Sequence, residues 1–414
     1  MMMLKIVAGL VVILLVGALL LYVIVLRPIE KFQPTGQYRV GAQNFDFEFS
    51  SAILAHTRKL NIRAWYPSHQ REGELNPVSS KRVSAAALKI FNMPEFLAQE
   101  EPSLSFKDAA IAPGKFPVVI FNHGFASFAE QNTVNMQELA SNGYVGLAIS
   151  HPGTSLVTEY RDGIFVSHDA SHPAYVDFAD FENFSARSAK AFQNALNEIE
   201  GAADYAQYWS AMRGLAQGPA FKNYQGIIRQ WVEDTNALVD AISGAALEQF
   251  PARLAQGLDT AKIGLMGHSL GGITINAVSL SNPDISAVLN LDGPFAYDVP
   301  VEQSRPGTPT CFLMAAESVL DATLRNAENI NLPLMEHSGQ PGCYGVFAGA
   351  RHMNFTDLNY VSFLKLLPIL GPVNQKEFGL ELNNVMVHFF DRYLKQMDVP
   401  FEPVTQNIIE YREF

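Results

Sequence analysis

Short apolar runs and amphipathic stretches alternate along most of the chain, from residue 38 to residue 396. Runs that alternate in polarity or stay apolar up to a turn predict strands, and apolar positions three or four residues apart predict helices. The predicted strands cover 38–49, 60–66, 116–121, 144–150, 262–266, 287–291, 308–315 and 343–350; the predicted helices cover 85–101, 128–142, 224–242, 273–280 and 383–396. This order predicts an α/β protein with a mostly parallel central sheet and helices on both faces, with the active site at the carboxyl ends of the strands.

A continuous apolar segment precedes this pattern. Residues 6–26 contain no charged or strongly polar side chain, and Lys5 and Arg27 bracket them. As a helix the segment would be about 31 Å long, enough to cross a bilayer, and it lacks a small-residue cleavage site. We therefore predict an N-terminal transmembrane anchor over residues 1–27. The short N-terminal tail favours a single-pass protein whose catalytic domain is extracytoplasmic (periplasmic).

The remaining residues, 28–414, form one predicted catalytic domain. Two ranges within it, about 68–113 and 154–226, are too long to be simple strand-to-helix connections and are predicted to be insertions. The sequence contains no internal repeat and no low-complexity tract.

The net charge excludes one class of partner, and the two cysteines leave the presence of a disulfide open. The chain has 414 residues and a net charge of −12, with no Lys/Arg cluster, so we exclude nucleic acid as a partner. Cys311 and Cys343 lie near the starts of successive predicted strands, which is compatible with two thiols or with one disulfide. The sequence does not indicate an oligomeric state.

The most informative motif is Gly267-His268-Ser269-Leu270-Gly271, which lies between a predicted strand and a predicted helix. This G-x-S-x-G pattern is typical of the nucleophile elbow of α/β-hydrolases. The elbow holds its serine at positive φ, so the flanking glycines remove the clashes that a Cβ would cause. Ser269 is therefore the candidate nucleophile, but it needs a histidine and an acid to be activated.

The candidate base is His352, because it follows the last predicted strand. Among the other histidines, His388 falls inside a helix, His268 inside the elbow and His337 in a polar loop.

The residues alone leave the acid open. Glu317 or Asp321 follows the strand after next from the elbow, whereas Asp292 ends the strand directly after the elbow helix. Either position puts a carboxylate at the sheet edge that faces the site. Asp292 is also followed by Gly-Pro, a pattern typical of a simple turn.

Two backbone amides are predicted to bind the oxyanion. One belongs to Leu270, directly after the nucleophile, and the other to Phe125, in the loop after the 116–121 strand. No cofactor or metal is predicted: His168 and His172 are four residues apart, but no H-E-x-x-H pattern or cysteine partner accompanies them.

Five sequence pieces occur in an order that resembles a known family. They are Arg-Ala-Trp-Tyr-Pro-Ser at 63–68, Phe-Asn-His-Gly-Phe at 121–125, Gly-His-Ser-Leu-Gly-Gly at 267–272, Leu-Asp-Gly at 291–293 and His-Met-Asn-Phe-Thr-Asp at 352–357. Together they resemble the platelet-activating-factor acetylhydrolases of the plasma and intracellular type II class, with their bacterial dienelactone-hydrolase-like relatives. The similarity runs from residue 38 to residue 394, and the composition of 154–226 departs from it.

The resemblance has consequences for the site and for the substrate. It implies an α/β-hydrolase fold and places the acid after the strand next to the elbow helix, which selects Asp292. It also implies a phospholipid ester with a short or oxidised sn-2 acyl chain.

The sequence therefore predicts a serine carboxylic-ester hydrolase that uses a Ser269, His352 and Asp292 triad and forms an acyl-enzyme. Its expected partners are a small-molecule or lipid ester and, through the anchor, a membrane. A generic carboxylesterase, a lipase or an acyltransferase on the same fold is the alternative. A membrane-tethered binding protein without catalysis is the alternative of another class.

Overall fold

The computed structural model describes residues 14–17, 32–90, 92–299, 307–317, 327–360, 369–405 and 409–414. The strands are β1 (Arg39–Ser51), β2 (His56–Ser68), β3 (Leu75–Pro77), β4 (Pro102–Lys107), β5 (Phe116–Asn122), β6 (Val145–Ser150), β7 (Val157–Glu159), β8 (Phe165–Ser167), β9 (Leu258–His268), β10 (Ile285–Leu291), β11 (Thr310–Ala315), β12 (Gly342–Phe347) and β13 (Ile409–Glu413). The helices are α1 (Lys81–Ile90), α2 (Thr133–Ser141), α3 (Pro173–Ala179), α4 (Phe181–Glu200), α5 (Tyr205–Gln217), α6 (Gln225–Ser243), α7 (Ala252–Gly257), α8 (Leu270–Ser281), α9 (Leu332–Ser338) and α10 (Gln375–Leu394).

One sheet organises the described residues, with its strands in the order β13-β12-β11-β10-β9-β5-β6-β2-β1-β4-β3. The six neighbours from β12 to β6 run parallel, and antiparallel β13 and β2 flank them. The predicted mostly parallel sheet is confirmed. Because β5 and β9 are central neighbours, the loop after β5 and the turn after β9 emerge side by side.

Strand β5 shows why both sheet faces are covered. Val118 and Ile120 pack into a cluster with residues of α6 and α8, whereas Val119 and Phe121 pack with α2 and α10. Successive side chains of a strand point to opposite faces, so a continuous apolar run needs a partner layer on each side. The two layers of helices predicted from the sequence supply those partners.

Helix boundaries differ from the prediction where a local signal was overlooked. The helix predicted over 85–101 ends at Ile90, and a short turn, Glu95–Leu97, follows Pro94. Proline disfavours helical backbone in the residue before it, which separates the two pieces. The last helix begins at Gln375 instead of residue 383, because the Asn374 side chain accepts hydrogen bonds from the first free backbone amides.

The two cysteines lie on neighbouring strands. Cys311 of β11 and Cys343 of β12 are direct register partners, and a disulfide joins them. This crosslink ties together the strands that precede Glu317 and His352.

The predicted membrane anchor is wrong. None of the helices that the structure describes combines the length and the hydropathy needed to cross a bilayer. Within the predicted segment, the structure describes residues 14–17, which are helical. The other positions of 6–26 lie outside the described residues. This finding contradicts three predictions: the transmembrane helix, the membrane partner and the single-pass, extracytoplasmic placement.

Candidate active site

The turn between β9 and α8 has the strained geometry expected of a nucleophile elbow. Ser269 has a φ of 56° and a ψ of −117°, and its N–H donates to the Leu291 carbonyl at 2.9 Å. A Cβ at position 271 would collide with the Asn122 carbonyl, and one at 267 would collide with the Gly271 carbonyl. Glycine is therefore required at both positions, and the partly exposed Ser269 sits at the carboxyl edge of the sheet.

The proposed base and acid meet at the same edge. His352 Nδ1–H donates to Asp292 Oδ2 at 2.7 Å, with the side chains 23% and 12% exposed. The other Asp292 oxygen accepts from the Ala315 N–H at 2.8 Å, and the Asp292 N–H donates to the Leu313 carbonyl at 2.8 Å. Asp292 has a φ of 55°, so its carboxylate is held by the turn at the end of β10 and by β11.

Of the other two acids considered from the sequence, the structure describes Glu317, which does not contact His352. Glu317 has an exposed side chain, and its backbone N–H donates to the Ala350 carbonyl at 2.9 Å. Asp321 lies outside the described residues. Of the two candidates that the structure describes, Asp292 is the one that contacts His352.

One nitrogen of His352 is left for a proton transfer. Because Nδ1–H faces Asp292, Nε2 of a neutral ring is an acceptor, and no group among the described residues is hydrogen-bonded to it. Ser269 lies in the same neighbourhood: a Cβ on Gly293, next to Asp292, would come within 2.5 Å of the Ser269 carbonyl oxygen. The ring of His268, which precedes the serine, lies 4.4 Å from the His352 ring.

The two predicted oxyanion amides belong to segments that approach each other closely, because a Cβ on Gly271 would collide with the Asn122 and His123 carbonyls. Within the described part of the chain, neither the Phe125 N–H nor the Leu270 N–H has a hydrogen-bond acceptor. Leu270 is the first residue of α8, where helical N–H groups have no partner inside the helix. Phe125 packs against the apolar cluster that contains Leu270.

Aromatic side chains that the sequence analysis did not single out surround Phe125. Its ring centroid lies 4.5 Å from Tyr175, 5.0 Å from Tyr224 and 5.8 Å from Phe178. We call Phe125, Tyr175, Phe178 and Tyr224 the aromatic wall. Burial raises the pKa of Tyr175 and of Tyr224, so both hydroxyls stay protonated at neutral pH. Three members of the wall come from the range 154–226, and the Phe- and Tyr-rich composition of that range was the sequence signal for them.

His123 contacts the loop after β5, residues 123–125, which carries the predicted Phe125 amide and which we call the oxyanion loop. Its Nδ1–H donates to the Gly124 carbonyl at 2.7 Å, and its Nε2 lies 2.7 Å from the Ser155 hydroxyl. Burial and nearby His151 lower the pKa of His123 to about 3, so the ring is neutral at physiological pH. No local sequence signal separated this histidine from an ordinary turn residue.

A second His–Asp contact lies deeper in the molecule. His151 Nδ1 is 2.8 Å from Asp234 Oδ2, and both side chains are completely buried. Arg58 pairs with the same carboxylate at 2.5 Å, and His151 Nε2 is 2.9 Å from the Asn122 side-chain amide. The His151 ring stacks on Trp231 with centroids 4.2 Å apart. We call His151, Asp234 and Arg58 the buried triad.

The histidines considered for zinc have other contacts. His172 Nδ1 accepts from the Ala174 N–H at 3.2 Å, and His168 stacks on Tyr175 with centroids 4.1 Å apart. Over the described ranges, no three His, Cys, Asp or Glu side chains converge in a way that could hold a metal ion.

Comparison with known proteins finds a family and a relative that parts of this chain resemble. The family described as "Platelet-activating factor acetylhydrolase, isoform II" matches residues 29–200. A platelet-activating factor acetylhydrolase of Cavia porcellus is 20% identical over 284 residues, which are 68% of this chain and 58% of that relative. The predicted resemblance is confirmed. The chain is similar to the platelet-activating factor acetylhydrolases over two thirds of its own length and a little over half of that relative's.

The fold comparison covers more of the chain. The solved structure of a ferulic acid esterase from Streptomyces cinnamoneus superposes with a TM-score of 0.67 at 20% identity, over 92% of this chain and 98% of that one. This likeness shows a shared α/β-hydrolase-type fold. The family match contains Phe125 but ends at residue 200, before Ser269, Asp292 and His352.

Proposed function

We propose that this chain is a serine ester hydrolase in which Ser269, His352 and Asp292 form the catalytic triad. The observation that carries the proposal is the 2.7 Å contact between His352 and Asp292, at the sheet edge where the strained turn exposes Ser269. The similarity to an acetylhydrolase and the fold shared with an esterase support the same reaction class.

The proposed reaction uses His352 Nε2, which has no hydrogen-bond partner among the described residues. Ser269 Oγ attacks the ester carbonyl while His352 Nε2 takes its proton, and Asp292 stabilises the resulting imidazolium. The tetrahedral intermediate collapses to an acyl-Ser269, and His352 returns the proton to the departing alcohol. Water then attacks the acyl group and loses a proton to His352. His352 passes this proton to Ser269 Oγ as the acyl–oxygen bond breaks, which releases the carboxylic acid and restores Ser269.

In this proposal, the Phe125 and Leu270 amides stabilise the oxyanion of both tetrahedral intermediates. Neither donor has another acceptor among the described residues, so neither has to break a bond when the charge develops. The N-terminus of α8, where Leu270 lies, adds the positive end of the helix dipole.

For the substrate, we propose a phospholipid ester with a short or oxidised sn-2 acyl chain, by analogy with the acetylhydrolase relative. A second candidate is an ester of an aromatic acid. The aromatic wall next to Phe125 favours it, because aromatic rings pack well edge to face, and the fold neighbour is a ferulic acid esterase. A generic carboxylesterase, a lipase and an acyltransferase would use the same machinery.

The test is hydrolysis by the full chain of p-nitrophenyl esters from acetate to octanoate. We expect turnover by the wild type and a loss of at least about 10⁴-fold in Ser269→Ala. Ser281→Ala is the matched control, because Ser281 ends the same helix and its hydroxyl donates to the Val278 carbonyl. Turnover by Ser269→Ala at the wild-type rate would contradict the proposal.

The phospholipid and aromatic-acid candidates are distinguished by comparing kcat/KM for a short-chain sn-2 phosphatidylcholine with kcat/KM for methyl ferulate. Adding an acceptor alcohol and measuring transester formation distinguishes acyl transfer from hydrolysis. A wild-type protein that binds these esters without turning any of them over would favour a non-catalytic binding role.

A further inference from the structure

Three hydrogen bonds connect the oxyanion loop with the loop that carries the base. The Gly124 N–H donates to Gln131 Oε1 at 2.7 Å, and Gln131 Nε2–H donates to His268 Nδ1 at 2.8 Å. His268 Nε2–H then donates to the His352 carbonyl at 3.1 Å. Each of these side chains is at most 6% exposed, so water does not compete for the bonds.

The direction of each bond is fixed by its two ends. Gln131 Oε1 is occupied by a backbone N–H, so its amide nitrogen must face His268. The carbonyl of His352 can only accept, so the proton of His268 must be on Nε2. A neutral His268 with its proton on Nε2 satisfies both neighbours.

Burial and the nearby His352 lower the pKa of His268 well below its ordinary value. The ring 4.4 Å away is the one that gains a proton during the proposed reaction. A neutral His268 adds no repulsion to that imidazolium.

We infer that His268 and Gln131 are positioning residues that hold the Phe125 amide and the His352 imidazole in register with each other. The inference rests on the proposed ester hydrolysis. Gln131 fixes the Gly124 amide and so the peptide that precedes the Phe125 N–H. His268 fixes the backbone of His352, whose ring must reach Ser269. A Cβ at position 124 would lie 2.9 Å from His268 Nδ1, so the close approach of the two loops requires glycine there.

We call the three hydrogen bonds from Gly124 through Gln131 and His268 to His352 the bridge. Replacing His268 by asparagine or by glutamine tests its two halves separately. In His268→Asn, the side-chain oxygen can replace Nδ1 and accept from Gln131, but the bond to the His352 carbonyl is lost. In His268→Gln, the amide nitrogen can replace Nε2 and donate to that carbonyl, but the bond to Gln131 is lost. His268→Leu loses both bonds, and Gln131→Met removes the middle of the bridge at nearly constant length.

We expect kcat for p-nitrophenyl acetate to fall about 10- to 100-fold in His268→Leu and in Gln131→Met, with KM changed less than about threefold. His268→Asn and His268→Gln should each recover part of the loss. Melting temperatures, measured in parallel, identify any variant that fails to fold. His388→Leu, in α10, is the matched histidine control and should keep the wild-type kcat.

A side chain that only fills space would lower stability without this split between kcat and KM. If His268→Asn or His268→Gln is folded and keeps the wild-type kcat, the inference of a continuous bridge is wrong, whether or not His268→Leu folds. Failure of the proposed function looks different. In that case the wild-type chain itself hydrolyses no ester and its Ser269 does not react with a fluorophosphonate.

Discussion

Two His–Asp contacts among the described residues have nearly the same length but opposite surroundings. His352 and Asp292 are 2.7 Å apart and partly exposed, and the second histidine nitrogen has no partner among the described residues. His151 and Asp234 are 2.8 Å apart and fully buried. There the Asn122 side chain lies against the second histidine nitrogen.

The contrast shows that the pair itself does not define a catalytic site. A general base needs a free nitrogen that a substrate or nucleophile can reach, and only the exposed pair offers one. In the buried triad, Arg58 neutralises the carboxylate, and Trp231 covers the histidine ring. We therefore expect the exposed pair to control turnover and the buried triad to control stability.

The largest expected effect comes from replacing the two histidines in the same way. His352→Gln should reduce kcat by at least about 10⁴-fold while the urea midpoint of unfolding stays close to that of the wild type. His151→Gln should lower the free energy of unfolding by about 1–3 kcal/mol and keep most of the kcat, because it disturbs buried hydrogen bonds. Steady-state kinetics and urea titration of both variants check this, and the reverse assignment of effects would contradict the comparison.

Replacing Asp292 should affect turnover, and replacing Asp234 should affect stability, as for the two histidines. Asp292→Asn should lower kcat by about 10³- to 10⁴-fold, because an amide stabilises the imidazolium poorly. Asp234→Asn leaves the buried Arg58 charge uncompensated and should cost about 3–5 kcal/mol of stability. Glu317→Gln is the control with an exposed side chain. A loss of turnover in Glu317→Gln but not in Asp292→Asn would refute the acid assignment.

Acid should lower the free energy of unfolding through the buried His123. The pKa of His123 falls to about 3 in the folded protein, against about 6.5 in an unfolded chain. Below pH 6.5 the unfolded chain therefore binds a proton that the folded protein does not, so stability is lost progressively down to about pH 3. We expect His123 alone to cost about 2 kcal/mol at pH 5.

His123→Asn tests this sign, because asparagine can still donate to the Gly124 carbonyl but does not titrate. Urea midpoints at pH 7 and pH 5 should differ less for this variant than for the wild type. An equal or larger difference in the variant would show that His123 is not held neutral.

The smallest effect is expected at the aromatic wall. Phe178 is 38% exposed and touches Phe125, so Phe178→Ala should raise KM a few-fold with little change in kcat. The change should be larger for an aromatic acyl ester than for p-nitrophenyl acetate if the wall contacts the acyl group. Val176→Ala, on the same helix and 53% exposed, is the matched control.

Part of this site could be predicted because it is encoded locally. Gly267, Ser269 and Gly271 describe a strained turn within five residues, and the structure has that turn. The acid could not be chosen from the residues alone. Asp292 and His352 are 60 positions apart, and which strand end faces the base depends on the order of strands in the sheet.

The buried triad and the bridge were missed for the same reason. Arg58 and Asp234 are 176 positions apart, and Gln131 and His268 are 137 apart, so no short pattern joins either pair. The opposite error occurred at the N-terminus. There a local apolar pattern over 6–26 predicted a membrane anchor, and the described helices do not support it.

The most direct test of the catalytic assignment is labelling of the folded chain with a fluorophosphonate, followed by peptide mass spectrometry. Ser155 provides an internal comparison, because its hydroxyl lies 2.7 Å from a histidine nitrogen but is fully buried. We predict one label, on Ser269, lost in the unfolded chain and in His352→Gln. No label on Ser269, or a label on Ser155 instead, would contradict the account.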